Sequence, residues 1–124
     1  MNDGIGKRRW AIAEGYIPEG SHGPEPMQSH ETACILNAND SDANVEIRVY
    51  FSDRDPAGPY SVRVPARRTL HVRFDQLDDP EPIPRATEYA STIESDLPIV
   101  VQHTRLDSRQ AENALMTTLA YSTD

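Results

Sequence analysis

The sequence predicts an all-β fold: a single-domain antiparallel β-sandwich with one short C-terminal helical turn. Apolar and polar residues alternate with period two through successive segments, and no long stretch repeats apolar residues at helical spacing. The 124 residues include 10 Pro and 6 Gly, which with Asp and Asn divide the chain into short strands and turns. A chain of this length has room for one domain.

A first strand is expected at residues 10–14, followed by a Gly- and Pro-rich loop at 15–28 whose length makes it a candidate functional element. A strand at 30–37 comes next. The clearest strand covers 44–51, with Val45, Ile47, Val49 and Phe51 on one face and Glu46, Arg48 and Tyr50 on the other. After the turn residues 52–59, Tyr60, Val62 and Val64 alternate with Ser61 and Arg63, completing a hairpin. Pro65 interrupts the ladder, and 69–74 resumes it with Leu70, Val72 and Phe74 inward. Residues 75–84 hold three Pro and four acids and read as an acidic surface loop. Two further strands are expected at 88–94 and 98–106. A helical turn at 107–114, capped by Asp107 or Ser108, leads to a last strand at 115–121. Residues 1–9 read as a flexible basic tail and 10–122 as the sandwich domain.

The composition, 37% apolar and 26% charged with a mean hydropathy of -0.64, is polar but globular. The longest apolar run, 97–101, falls far short of the roughly 20 residues of a membrane-spanning helix, and no signal-peptide region is evident. The expectation is a soluble cytoplasmic protein. The single cysteine, Cys34, excludes an internal disulfide framework and a cysteine-rich zinc site. A net charge of -8 opposes nonspecific attraction to nucleic acid. Residues 56–74 nevertheless contain Arg63, Arg67, Arg68 and Arg73 and no acid, which offers a local positive patch for DNA as an alternative function. Lys7, Arg8 and Arg9 are a second basic run, read as a solvated tail.

Trp10, Ile12 and Glu14 fall on one strand face, so that indole and carboxylate either hold a sugar-like ligand or separate into a core anchor and a solvated acid. Along 99–107 the same-face series Ile99, Val101, His103, Arg105, Asp107 turns from apolar to charged, as at a pocket rim, a subunit contact or a solvated edge. His30-Glu31-Thr32-Ala33-Cys34 begins like a zinc-protease motif, but a strand separates residues i and i+4 by about 13 Å, and the motif requires a helix. No catalytic signature, phosphate loop or dinucleotide fingerprint occurs, and no cofactor or metal is expected. A hydrolase using Glu14 or Glu31 with His30 has the residue types alone in its favour.

The segments Trp10-Ala11-Ile12-Ala13-Glu14-Gly15-Tyr16-Ile17-Pro18, Ser29-His30-Glu31-Thr32, Val64-Pro65-Ala66-Arg67-Arg68-Thr69 and the run of residues 100–114 from Val100 to Ala114 resemble the sensory rhodopsin transducer family. Gly23-Pro24-Glu25-Pro26, Gly58-Pro59-Tyr60 and His71-Val72-Arg73-Phe74 add to the match. The resemblance implies a small cytoplasmic β-sandwich, a cyclic homotetramer without enzymatic activity, acting in signal transduction. Its implied partners are the cytoplasmic face of a sensory rhodopsin, a small sugar-like or anionic ligand, and DNA-associated regulation. The candidate ligand-binding residues within the matching segments are Trp10, Glu14, His30, Glu31, Arg67, Arg68, His103 and Arg105. They combine stacking surface, acceptors and forked donors.

Overall fold

The computed structural model describes residues 5–19, 28–109 and 114–124. Its strands are β1 (Lys7–Tyr16), β2 (His30–Asn37), β3 (Ala43–Phe51), β4 (Ala57–Val64), β5 (Arg68–Arg73), β6 (Glu88–Asp107), β7 (Ala114–Leu119) and β8 (Tyr121–Thr123). A 3-10 turn, Phe74–Gln76, follows β5. All the ladders are antiparallel. One sheet runs β4-β3-β6-β1-β8 and the other β5-β2-β6-β7, so that β6 belongs to both. The inner faces merge into one core that includes Trp10, Ile35, Val45, Ile47, Val49, Tyr60, Ile93 and Val101. The antiparallel sandwich expected from the alternation is the fold observed.

Where one strand was expected to end at residue 94 and another to begin at 98, β6 is continuous for 20 residues. Residues 88–95 pair with β3 and β1, and residues 100–107 pair with β2 and β7. Pro98, which lacks an N–H, sits at the changeover and has no ladder partner there, so it interrupts nothing. The expected last strand is instead divided at Ala120, where the chain crosses from one sheet to the other and its N–H donates to Val101 O at 3.2 Å. Of the expected basic tail, residues 1–4 lie outside the described residues, while Lys7, Arg8 and Arg9 are in β1, with Lys7 opposite Ile99 and Arg9 between Glu94 and Thr123. Of the expected helical turn, residues 110–113 lie outside the described residues, while Asp107 closes β6 and Ala114 opens β7.

Two asparagines fasten this changeover. Fully buried Asn37 donates through Nδ2 to Ser41 O, Val64 O and Pro65 O at 2.9, 3.0 and 3.2 Å, and its Oδ1 accepts from Asn39 N and Nδ2. Asn39 Nδ2 also donates to Pro98 O at 2.7 Å. The ends of β2 and β4 are thereby tied to the bend in β6. The acidic loop is also anchored, by burial of Ile83 and a 2.7 Å bond from Tyr60 Oη to Glu81 O.

Asn37→Ala removes the shared donor and acceptor from several buried groups, each costing about 1–3 kcal/mol when left unpaired. Urea denaturation should show a loss of at least about 3 kcal/mol, against about 0.5 kcal/mol or less for Asn44→Ala on the surface.

Candidate functional site

Beyond Ile99 and Val101, the core-facing side of β6 carries His103 and Arg105, and β2 places Glu31 directly opposite Arg105. Glu31 is 1% exposed. One carboxylate oxygen, Oε1, lies 2.6 Å from His103 Nε2. The other, Oε2, accepts from Arg105 Nε at 3.1 Å and from the backbone N–H of Tyr16. A carboxylate held by a guanidinium and a backbone N–H is an acceptor only, which assigns the proton to His103 Nε2. Arg105 Nη2 lies 3.0 Å from the same Oε2, at an angle that forms no hydrogen bond. It is 4.0 Å from Oε1 of Glu14, whose side chain is 83% exposed.

His103 and Arg105 form part of the floor of an open cavity of about 260 Å³ between β1 and β7. Ile12 and Glu14 wall one side, and Met116, Thr118 and Leu119 the other. Met116 and Thr118 lie opposite Arg105 and His103 in register, so β7 extends the same inner face. The site thus offers a guanidinium edge, a histidine ring, an exposed carboxylate and threonine hydroxyls beside apolar walls. That mixture suits a small hydroxylated molecule.

Four of the expected ligand residues converge here: Glu14, Glu31, His103 and Arg105. The other four do not. A register shift between Ile12 and Gly15 breaks the strict alternation that would align Glu14 with Trp10, and of the three only Ile12 and Glu14 reach the cavity. Trp10 is a buried core residue, and its indole N–H donates to Lys7 O at 2.9 Å. His30 is outside the cavity, with Nδ1 2.7 Å from Gln28 O. Arg67 and Arg68 lie near the far end of β2, about 20 Å along the strand from Glu31. The arginine patch is also largely neutralised: Arg63 pairs with Asp42 at 2.7 Å, Arg67 with Asp40 at 3.6 Å and Arg73 with Asp75 at 2.7 Å. Arg68 donates to the carbonyls of Ala66 and Arg67.

Sequence reasoning missed Tyr89. Its ring fills the space beside Gly15, where a Cβ would lie 2.4 Å from a ring carbon, and its buried hydroxyl has no hydrogen-bond partner among the described residues. Burial first, and then the charge of Glu31, push its phenol far above the ordinary value, with Arg105 opposing. The folded state therefore holds a proton that the unfolded chain releases near pH 10, so stability falls as pH rises past about 10. Tyr89→Phe removes an unpartnered hydroxyl. It should leave stability at pH 7 unchanged or raised and make the alkaline decline shallower, as read by urea denaturation from pH 7 to 11. Tyr60, raised mainly by burial, accounts for part of the slope that remains.

The family model described as Anabaena sensory rhodopsin transducer matches residues 5–122. A solved structure of the Anabaena sensory rhodopsin transducer is 63% identical, with a TM-score of 0.74, covering 81% of this chain and 98% of that one. A crystal structure of Thermotoga maritima 1070 is 37% identical, with a TM-score of 0.85, covering 98% of this chain and 96% of the other. Comparison with the curated proteins gives no match. With the match running from before β1 into β8 and including both walls of the cavity, this chain belongs to the sensory rhodopsin transducer family.

Proposed function

We propose that this protein is a non-enzymatic cytoplasmic relay in which a small hydroxylated ligand, bound between β1 and β7, changes how the chain meets its partners. Family membership supports the signal-transduction role, and the similar Anabaena protein is named for a sensory rhodopsin, which we take as the membrane partner here. The observation that carries the ligand reading is Glu31: a buried carboxylate that orients His103 and Arg105 towards an open cavity. Glu31 already offsets the charge of Arg105, and Glu14 adds a second negative charge at the mouth. A neutral polyol or sugar therefore suits the site better than a sugar acid or phosphate.

The assembly we propose is a homotetramer formed through β7. All six residues of this edge strand are exposed, and Leu115 and Leu119 are each 69% exposed. The strand has no charge, Pro or Lys to discourage pairing, which is how edges of monomeric proteins are ordinarily protected. Because β7 is also a cavity wall, an occupied site and a subunit contact share one element.

A thermal-shift screen should find neutral sugars or polyols that stabilise the protein by about 2.7 kcal/mol at 100 times Kd, with charged analogues weaker. His103→Gln keeps a donor for Glu31 and should weaken the effect. No shift across the panel would remove the ligand reading. Separately, Leu115→Glu with Leu119→Glu should lower the mass measured by light scattering to that of a monomer, and an unchanged mass would overturn the assignment of β7 as the subunit contact.

A further inference from the structure

We propose that a trough on the outer face of the first sheet docks an arginine-bearing peptide segment of a protein partner. It lies across the end of β1, the end of β3 and the start of β6 and has a volume of about 390 Å³. Tyr16 and Tyr50 line it, along with the carboxylate-bearing Glu14 and Glu88, and the small Ala13 and Ala90 leave it open. Tyr50 lies opposite Ala90 in register, and its hydroxyl is held 3.1 Å from Thr92 Oγ1. An adjoining depression of about 320 Å³ shares Tyr16 and Glu88 and adds Asp53.

Charge identifies the occupant. Elsewhere on this sheet the acids are paired: Glu94 with Arg9 and Arg48, and Glu46 with Arg48. Among the described residues, no Lys or Arg lines the trough. Glu88 is exposed and has no ion-pair partner among the described residues, while the cation nearest Glu14 is 4.0 Å away. Tyrosine faces beside Glu14, whose one cation stands 4.0 Å off, and beside Glu88, unpaired among the described residues, favour a planar cation that stacks and forks, and repel an anion. The chain itself provides a precedent at the rim. The Arg54 guanidinium lies 5.1 Å from the Phe51 ring centroid and donates to both oxygens of Asp53, at 2.9 and 3.1 Å. A partner's arginine would repeat this arrangement of aromatic ring and carboxylate in the trough. Glu14 also borders the cavity between β1 and β7, but the tyrosines and Glu88 do not, and the inference does not depend on that cavity being filled.

The probe is acetyl-Gly-Arg-Gly-Arg-Gly-amide, titrated into the full chain labelled with nitrogen-15 and followed by NMR, beside versions carrying lysine or the uncharged isostere citrulline. Amide shifts should concentrate at Tyr16, Tyr50, Ser52 and Glu88, with arginine binding several-fold tighter than lysine and citrulline not binding. Glu88→Gln and Tyr50→Leu should each weaken binding about fivefold or more, while Asp78→Asn with Asp79→Asn, which removes charge from the acidic loop, should leave it unchanged. Shifts scattered over the acidic surface, equal loss in the Asp78 and Asp79 variant, or undiminished citrulline binding would each overturn the proposal. None of these outcomes bears on the sugar screen, which uses neutral ligands and is read at His103.

Discussion

One strand serves two sheets, and the rest of the molecule is arranged around it. The first half of β6 lies between β3 and β1, its second half between β2 and β7, and the bend between them falls at Asp96, Leu97 and Pro98. The bend holds because Asn39 captures the Pro98 carbonyl and Asn37 holds Asn39, a largely buried polar junction in which each group relies on the next. A strand that changes sheets carries its core-facing side chains from the middle of the sandwich to its end. Ile93, Ile99 and Val101 therefore lie in the core, and His103 and Arg105 continue the same face to the cavity.

This continuity explains how a carboxylate comes to be buried in so small a protein. Glu31 is opposite Arg105 and two residue pairs from His103 along the ladder, on the same face, so a single register supplies both side-chain partners, and the β1 backbone adds a third donor. Burying an unpaired carboxylate would cost several kcal/mol, and even a well-paired one is seldom a net source of stability. An apolar residue at position 31 would pack more cheaply. The arrangement instead holds two side chains in fixed geometry beside an opening, which is a property of a site rather than of a core.

The strands were legible in the sequence because period-two alternation reports burial directly. Residues 30–37 were bounded as observed, and β3 and β5 were displaced by only one residue at their ends. Half of the candidate site was legible for the same reason, since the series Ile99, Val101, His103, Arg105 marks one face. The remainder depended on features without a local signal. Pro98 reads as a break unless it is known that no neighbour needs its N–H. The shift in β1 register separates Trp10 from Glu14, and strict alternation has no means of marking it. Arg67 and Arg68 matched the family segments and suited an anionic ligand in type, but their distance from Glu31 is set by the pairing of β2 with β5. Tyr89 looked like ordinary core, and its unpartnered hydroxyl emerges only where the sheets meet around Gly15.

The position of β7 bears most directly on signalling. Among the described residues it pairs only with β6, its Met116 and Thr118 border the cavity, and its Leu115 and Leu119 fall on the alternate face, Leu119 reaching the cavity's rim as well. Its following residue, Ala120, is bonded to Val101, the last apolar position before His103 on the inward face of β6. A displacement of β7 by a ligand would thus be opposed by that bond at one end, leaving the edge near Ala114 to Met116 the freer to move. Ligand and partner would then act on opposite faces of one short strand. Coupling between them requires no long pathway, because a ligand shifts an equilibrium only through contacts that differ between its states, and here the differing contacts belong to a single element.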